Sequence, residues 1–427
     1  MTTFESLKGF RDFYPEEMAA RREVFDVVAD VARRWGYREI QTPALESLEL
    51  YEVKSGEEIV EETYSFEDKG GREVTMTPEL TPSVARMVAA KQQAYSKPLK
   101  LFALPRLWRY EQPQSGRLRE FEQPNLDVFG VEEATAEAEL IAVADEILTE
   151  LGLEAGEDYE FRVSHRDLIE GVVADLGIAP DRRPDVYRVV DKSERLDEDE
   201  QRGRLEAIGI GDAAIETLLS FAGLGGGFDA LDELAEIADD ATSRDAIDRL
   251  REVAELLDDY GARGPCVVDP SVVRGMDYYT GTVFECFDVD GDLRAIFGGG
   301  RYDGLVEEFG GQPMAACGFG LGDATLQLLM EQAGVWPDEA VDTDYFVAVI
   351  GDVRDTANRV ARSLRADGHV VEMALAERGF SDQLDRADRV NASTTVIVGE
   401  RDLEEGEVTV KDMATGDQEQ RDVEDLL

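Results

Sequence analysis

Two strand-like segments in the first third of the chain place the strongest constraint on its fold. Residues 99–111 (LKLFALPRLWRYE) and 119–130 (REFEQPNLDVFG) are rich in apolar and aromatic side chains, and the polar connection QPQSGRL between them carries Pro113 and Gly116. Such segments read as strands, and a polar connection with Pro and Gly reads as a long hairpin loop. An antiparallel sheet is therefore expected. Side chains alternate along a strand, so Arg109 and Glu111 share one face and Gln123 and Asp127 another. If the hairpin brings those faces together, one surface carries an arginine, two carboxylates and an amide, with Arg117 and Arg119 in the loop. Arginine forks hold phosphate or carboxylate, and carboxylates hold an ammonium. A solvated sheet face with incidental charges fits the same residues.

The surrounding pattern is mixed. PEEMAARREVFDVVADVARRWG repeats Met18, Phe25, Val28, Ala32 and Trp35 at helical spacing, with Pro15 at its start and Gly36 past its end. YREIQTPALE reads as a strand and turn, and REVTMTPELTPSVARMV as a strand, a loop and a helix starting near Pro82. A helix is expected over ATAEAELIAVADEILTELG. Residues about 165–258 are rich in Asp and Glu, helical in period and without clear strands, which suggests a helical insertion. Strand character returns at 271–298, where Asp290-Gly291 lies between apolar runs as a hairpin signal, and residues 315–333 read as a strand passing into a helix. After a boundary at 335–344, strands and helices alternate, which implies a parallel sheet with crossover helices. The expected fold class is α+β: an antiparallel-sheet core over residues 1–330 interrupted by the insertion, then a small α/β domain over 342–427.

Two further segments carry chemistry. RGMDYYTGTVFE (274–285) puts Arg274 and Tyr278 on one strand face beside Tyr279, although adjacent tyrosines also serve as core aromatics. FGGGRYDGL (297–305) has glycines that let backbone approach a ligand closely, as they also do in any tight turn. Cys266, Cys286 and Cys317 lack metal-ligand spacing and read as buried thiols, so no metal site is expected from them; His165 and His369 stand far apart with no motif around either.

Charge constrains the setting. Asp and Glu number 94 against 44 Lys and Arg, a formal net charge of −50. The acids are interspersed with periodic apolar positions rather than gathered in a tail, so the chain is globular. Self-repulsion of that size opposes compaction, and it is relieved where molar salt shortens the screening length to ~3 Å. Lysine is scarce beside arginine. Both features suit the cytoplasm of a salt-loving organism; an ordinary acidic cytosolic protein is the alternative. No apolar run of ~18 residues spans a membrane, and the N-terminus lacks a basic region followed by an apolar run, which argues against a secretory signal.

Taken in order, these segments resemble histidyl-tRNA synthetases, a class II synthetase family. GYREIQTPALE is similar to motif 1, TPELTPSVAR to the histidine-binding loop after it, WRYE to the motif 2 strand, and RGMDYYTGTVFE to the histidine-specific segment peculiar to the family. GGGRYDGL resembles the stretch that follows, and the last ~85 residues resemble an anticodon-binding domain shared with class II relatives. The resemblance, haloarchaeal in type, implies an enzyme that activates L-histidine with ATP and transfers it to the 3′ end of tRNA(His), as a homodimer in the cytoplasm. By the same resemblance Glu79, Leu80 and Thr81 contact the substrate around its α-amino group, Gln123 makes a further contact, Asp127 recognises the imidazole, and Tyr278 and Tyr279 line the pocket. Arg109 bridges the α-phosphate and the substrate carboxylate, and Arg274 steadies the α-phosphate; these two are the expected catalytic residues. Glu111 faces adenine, Arg117 the outer phosphates, and Mg2+ bridges the pyrophosphate.

One departure stands out. Many members carry Gly-Leu-Glu-Arg in motif 3, with an arginine on ATP; here GFGLGDATLQLL (318–329) has Thr325 at that place. The expectation is that another arginine substitutes, such as Arg301; weaker ATP binding and loss of catalysis are the alternatives. A regulatory paralogue without aminoacylation and a threonyl or prolyl class II enzyme are the competing readings. The retained C-terminal domain with Arg109 and Arg274 argues against the first, and the doubled tyrosine with Gln123 and Asp127 against the second. The acidity also conflicts with a polyanionic partner. At molar salt little is gained from counterion release, so tRNA binding falls to shape, stacking and hydrogen bonds.

Overall fold

A computed structural model describes residues 4–52, 61–193, 196–238, 240–273, 278–337, 343–376 and 378–427. It divides into two compact units, Met1–Asp12 with Glu23–Trp336 and Phe13–Arg22 with Pro337–Leu427. Helix α1 (Pro15–Arg34) runs across the division, with Glu16 and Glu17 in its first turn and Arg33 and Arg34 in its last. Both ends complement the helix dipole.

The first unit is built on an eight-stranded sheet. Its strands are β1 (Arg38–Glu39), β2 (Leu99–Ala103), β3 (Asn125–Phe129), β4 (Tyr159–His165), β5 (Cys266–Val268), β6 (Thr282–Asp288), β7 (Phe297–Arg301) and β8 (Ala316–Leu321). They lie in the order β1-β2-β3-β8-β7-β6-β4-β5. Only the outermost pairs, β1 with β2 and β4 with β5, are parallel; every inner pair is antiparallel.

Strand alternation gives the sheet two unlike faces. One carries Phe102, Leu126, Val128, Phe284, Cys286, Phe297, Cys317 and Phe319, buried in one apolar cluster with helix α3 (Thr135–Glu150). Burial of this apolar surface is the main force holding helix to sheet. The centre of the other face is small or acidic, with Asp127, Glu285, Gly298, Gly318 and Gly320. Near the outer end of that face, helix α2 (Thr81–Lys91) supplies Val84, Ala85 and Val88 to a second cluster with Leu99, Leu101 and Val283.

Between β4 and β5 the described residues hold helices and no strand: α4 (Arg166–Asp175), α5 (Arg183–Val190), α6 (Glu198–Ala207), α7 (Asp212–Ala222), α8 (Ala230–Ile237) and α9 (Ala241–Tyr260). His165 caps α4 through Nδ1, which accepts from the Asp167 amide at 3.2 Å. Burial pushes its imidazole down to about 4, so the ring stays neutral as an acceptor. Asp240 caps α9, and Gly261 closes it at φ +75°. The three cysteines are buried free thiols.

The second unit has strands β9 (Thr343–Ile350), β10 (Val371–Met373), β11 (Ala392–Gly399), β12 (Glu407–Asp412) and β13 (Gln418–Asp422), in the order β10-β9-β11-β12-β13. The first three are parallel, joined through α11 (Arg354–Ala366) and α12 (Phe380–Arg389), and the last two form an antiparallel hairpin. The alternation at the end of the sequence is thus realised as α/β.

Two expectations need correction. Residues 99–111 and 119–130 do not form uninterrupted strands. Both break at prolines, Pro105 and Pro124, and Arg106–Trp108 with Glu120–Glu122 becomes a separate two-stranded ribbon. The breaks lie side by side, since Ala103 pairs with Asn125 and Arg106 with Glu122. Proline has no N–H for a ladder. Arg109 and Glu111 therefore lie beyond the ribbon, and Gln123 precedes β3. Nor does Tyr278 sit on a strand. β6 begins at Thr282 opposite His165, where β4 gives way to α4, so on that side residues 278–281 have no strand to join. Arg274, expected on the same strand face, lies outside the described residues. The Asp290-Gly291 hairpin does form, with Gly291 at φ +74°, but its connection runs over 289–296 rather than two residues.

Candidate active site

The small-and-acidic face of the sheet floors a cavity of about 440 Å3, a size suited to a bound small molecule. Its lining includes Glu79, Leu80, Thr81, Arg109, Glu111, Arg117, Gln123, Tyr278 and Tyr279. Segments remote in sequence are thus brought together.

The floor is built on glycines that leave room for longer side chains from neighbouring segments. A Cβ on Gly318 would stand 2.2 Å from Asp127 Oδ1, and one on Gly320 2.0 Å from Gln123 Nε2. Gly300 lies similarly close to the Tyr279 ring, with a Cβ reaching it at 3.0 Å. The glycines of β7 and β8 thus serve close approach of neighbouring segments, not a tight turn.

An acid–aromatic group occupies one part of the wall. Tyr278 Oη donates to Glu79 Oε2 at 3.2 Å, and Glu79 is buried. Ring centroids of Tyr278 and Tyr279 are 5.0 Å apart, and those of Tyr278 and Tyr302 5.9 Å. Tyr302 Oη donates to Asp127. Asp127 does not line the cavity itself; it is buried, with Tyr302, which does line the cavity, as its hydrogen-bond donor. Burial pushes its carboxyl up to about 7, against the pull of the Tyr302 hydrogen bond. Gln123 donates to Asn125 Oδ1 at 3.2 Å, and both line the wall.

An arginine group adjoins it. Arg109 Nε donates to the Pro78 carbonyl at 2.9 Å, one residue before Glu79, so the two groups meet there. The Arg109 guanidinium lies 4.0 Å from Glu111 and 5.6 Å from the Phe121 ring centroid. Glu111 is buried and ion-paired with Arg117, which is also 3.8 Å from Glu62. Arg119 turns away to bond the Glu111 carbonyl at 2.8 Å and to lie over Tyr110.

Arg301 is not the substitute arginine. It occupies the same strand face as Phe297, pointing to α3, and makes a buried bidentate pair with Glu137. Thr325 does reach the cavity wall, but its hydroxyl donates to the Ile296 carbonyl at 2.9 Å. Asp323, its neighbour on helix α10 (Asp323–Ala333), binds Arg11 Nη2 at 2.6 Å. The sequence reading also missed Asn125, Glu285, Arg294 and Tyr302, all in the lining. Tyr302 was recoverable: counting by twos from Gly298 and Gly300 leads to it. Arg294 gave no signal, because a loop has no period.

An eight-stranded, largely antiparallel sheet bearing an arginine-walled, carboxylate-bearing cavity, followed by a separate α/β unit, has the class II aminoacyl-tRNA synthetase architecture. The histidyl-tRNA synthetase family profile matches residues 9–326, and that of an anticodon binding domain matches 344–427. A histidine–tRNA ligase of Natronomonas pharaonis is 54% identical over 98% of this chain and 95% of its own. One from Haloarcula marismortui is 52% identical over 97% and 95%. The solved histidyl-tRNA synthetase of Nostoc sp. shares the fold, with a TM-score of 0.84 at 23% identity, covering 100% of this chain and 99% of that one. The chain belongs to the histidyl-tRNA synthetase family. The relatives are mostly haloarchaeal, which fits the spread acidity.

Proposed function

We propose that the cavity binds L-histidine and ATP, joins them as histidyl-adenylate and passes the histidyl group to tRNA(His). The juxtaposition at Pro78–Glu79 supports this reading best. A buried carboxylate held by Tyr278 suits the substrate's ammonium, and Arg109, fastened to the preceding carbonyl, suits the carboxylate and α-phosphate. In the first step a histidine carboxylate oxygen attacks the α-phosphorus and pyrophosphate leaves. In the second, a terminal ribose hydroxyl of tRNA attacks the acyl carbon and AMP leaves. Arg109 and Arg274 act as the catalytic arginines; catalysis of phosphoryl attack is mostly positioning and charge neutralisation. Leu80, Thr81 and Gln123 complete the histidine contacts, Tyr278 and Tyr279 wall the ring, and Asp127 governs the imidazole site through Tyr302. Glu111 and Arg117 serve the adenine and phosphates.

Mg2+ fits this donor set. The ion characteristically takes one or two carboxylates together with substrate phosphates, and Glu285 on the cavity floor is the carboxylate that would hold it. Among the described residues no group of three or more metal-binding side chains converges, so the ion would arrive with the nucleotide; when bound, it neutralises phosphate oxygens. The second unit supplies the anticodon contact. The molecule works in the cytoplasm as a homodimer, with its interface at the motif 1 segment Gly36–Glu46; among the described residues no helix is long and apolar enough to cross a membrane.

The test is ATP–pyrophosphate exchange in molar KCl against a panel of amino acids. Exchange with histidine alone, lost in Arg109→Ala and Arg274→Ala, is expected. Well-folded protein that binds histidine without exchange would instead point to a regulatory paralogue.

A further inference from the structure

The cavity's cations are unequally available. Arg109 is fastened to Pro78 and lies beside Glu111, and Arg117 is paired with Glu111. Thr325 brings no charge. Lys192 reaches the lining from the exposed segment after α5, next to Asp191. Arg294 is different: it lines the cavity, is half-buried, and among the described residues makes no hydrogen bond or ion pair.

Its position is held from both sides. Upstream, buried Asp288 accepts from the amides of Asp292 and Leu293 at 2.8 and 3.0 Å. Downstream, the Ile296 carbonyl accepts from Thr325 Oγ1 at 2.9 Å and from the Gly322 amide at 3.3 Å, while the Ile296 amide donates to Cys286 at 2.7 Å. The Thr325 methyl group is also in close register with Gly116, next to Arg117; a Cβ on that glycine would approach it at 2.8 Å. Thr325 therefore links the two loops that bring Arg117 and Arg294 to the cavity. A cation left unpaired on a pinned loop is preorganised for an anion, because little ordering remains for binding to oppose.

We propose that Arg294 binds the terminal phosphates of ATP, with Thr325 as the positioning residue that secures its loop. This rests on the ATP reading above. The guanidinium fork matches two phosphate oxygens, and contact with the departing pyrophosphate stabilises charge that grows during attack on the α-phosphorus.

The experiment compares wild type with Arg294→Ala, Arg294→Lys and Lys192→Ala in molar KCl. Calorimetric binding of ATP, AMP and inorganic pyrophosphate is measured beside histidine-dependent exchange, with thermal melts as the folding control. Arg294→Ala should weaken ATP and pyrophosphate by roughly ten- to a hundredfold, as expected for a lost charged hydrogen bond, and leave AMP binding and the histidine KM unchanged. Arg294→Lys should recover part of the loss. Equal weakening of ATP and AMP, no weakening at all, or the loss appearing in Lys192→Ala instead overturns the proposal. Wild type that binds pyrophosphate through Arg294 yet catalyses no exchange keeps the phosphate site and rejects the adenylation reading. Normal exchange in Arg294→Ala does the reverse, and wild type that binds no pyrophosphate rejects the site.

Discussion

Arg301 and Glu137 form a bidentate ion pair inside the first unit, Nε to Oε1 at 2.8 Å and Nη2 to Oε2 at 2.7 Å. Glu137 is wholly buried on α3, and Arg249 of α9 reaches the same carboxylate at 3.3 Å. The pair joins the sheet to α3, and Arg249 ties the helical insertion to it. Removing one partner of a buried pair costs about 3–5 kcal/mol, and the contact that Arg249 keeps with Glu137 holds the loss of Arg301 to the lower end of that range. Arg301→Met should lose stability of that order in denaturant unfolding at molar KCl. ATP affinity of the folded fraction should be unchanged. Weakened ATP binding at full stability would return Arg301 to the cavity.

Tyr278 and Glu79 offer a test of the amino-acid site. Tyr278→Phe keeps the ring and deletes the donor to a buried carboxylate. A hydrogen bond to a charged group contributes about 1.5–3 kcal/mol. The histidine KM should therefore rise roughly ten- to a hundredfold, with the ATP KM little affected. A rise confined to ATP would place Glu79 elsewhere in the reaction.

Asp127 predicts a pH signature. Its folded carboxyl is pushed up to about 7 by burial, whereas an unfolded aspartate titrates near ~3.9. Between those values the folded chain holds a proton that the unfolded chain has released. Stability contributed by the protonated group is full below pH ~4 and is lost as pH rises towards 7. Asp127→Asn lacks this loss. Its stability relative to wild type should improve by roughly 2 kcal/mol between pH 5.5 and 7, then level off. Parallel stability–pH curves for the two proteins would show that Asp127 is ionised throughout.

Salt should decide whether the chain folds firmly. With a formal net charge of −50, repulsion weakens as the screening length falls from ~8 Å at 0.15 M to ~3 Å at 1 M. The melting temperature should climb steadily over that range of KCl. A flat series would mean that surface charge is already compensated within the fold.

Much of the architecture could be read from period and punctuation. Helix α1 begins at Pro15 and ends just before Gly36, and the strand–helix alternation after residue 342 forms the expected α/β unit. The charge pattern and the ordered motifs led to the family. The cavity residues Glu79, Arg109, Glu111, Arg117, Gln123, Tyr278 and Tyr279 were all singled out from those motifs. Pro105 and Pro124 were visible too, but only strand pairing revealed that they lie side by side and divide one hairpin into a sheet and a ribbon.

The sequence by itself determined element type, charge and membership of the family, because these depend on local spacing and composition. Tertiary structure decided direction and partnership. Arg301 lies three residues from Gly298, which lines the cavity, yet strand alternation points it at Glu137, 164 positions away in the chain. Arg294, with no periodicity to announce it, is placed by Asp288 on one side and Thr325 on the other. Which buried charge finds a partner and which stays open to a ligand depends on contacts between distant segments, and those exist only once the sheet has closed around its core.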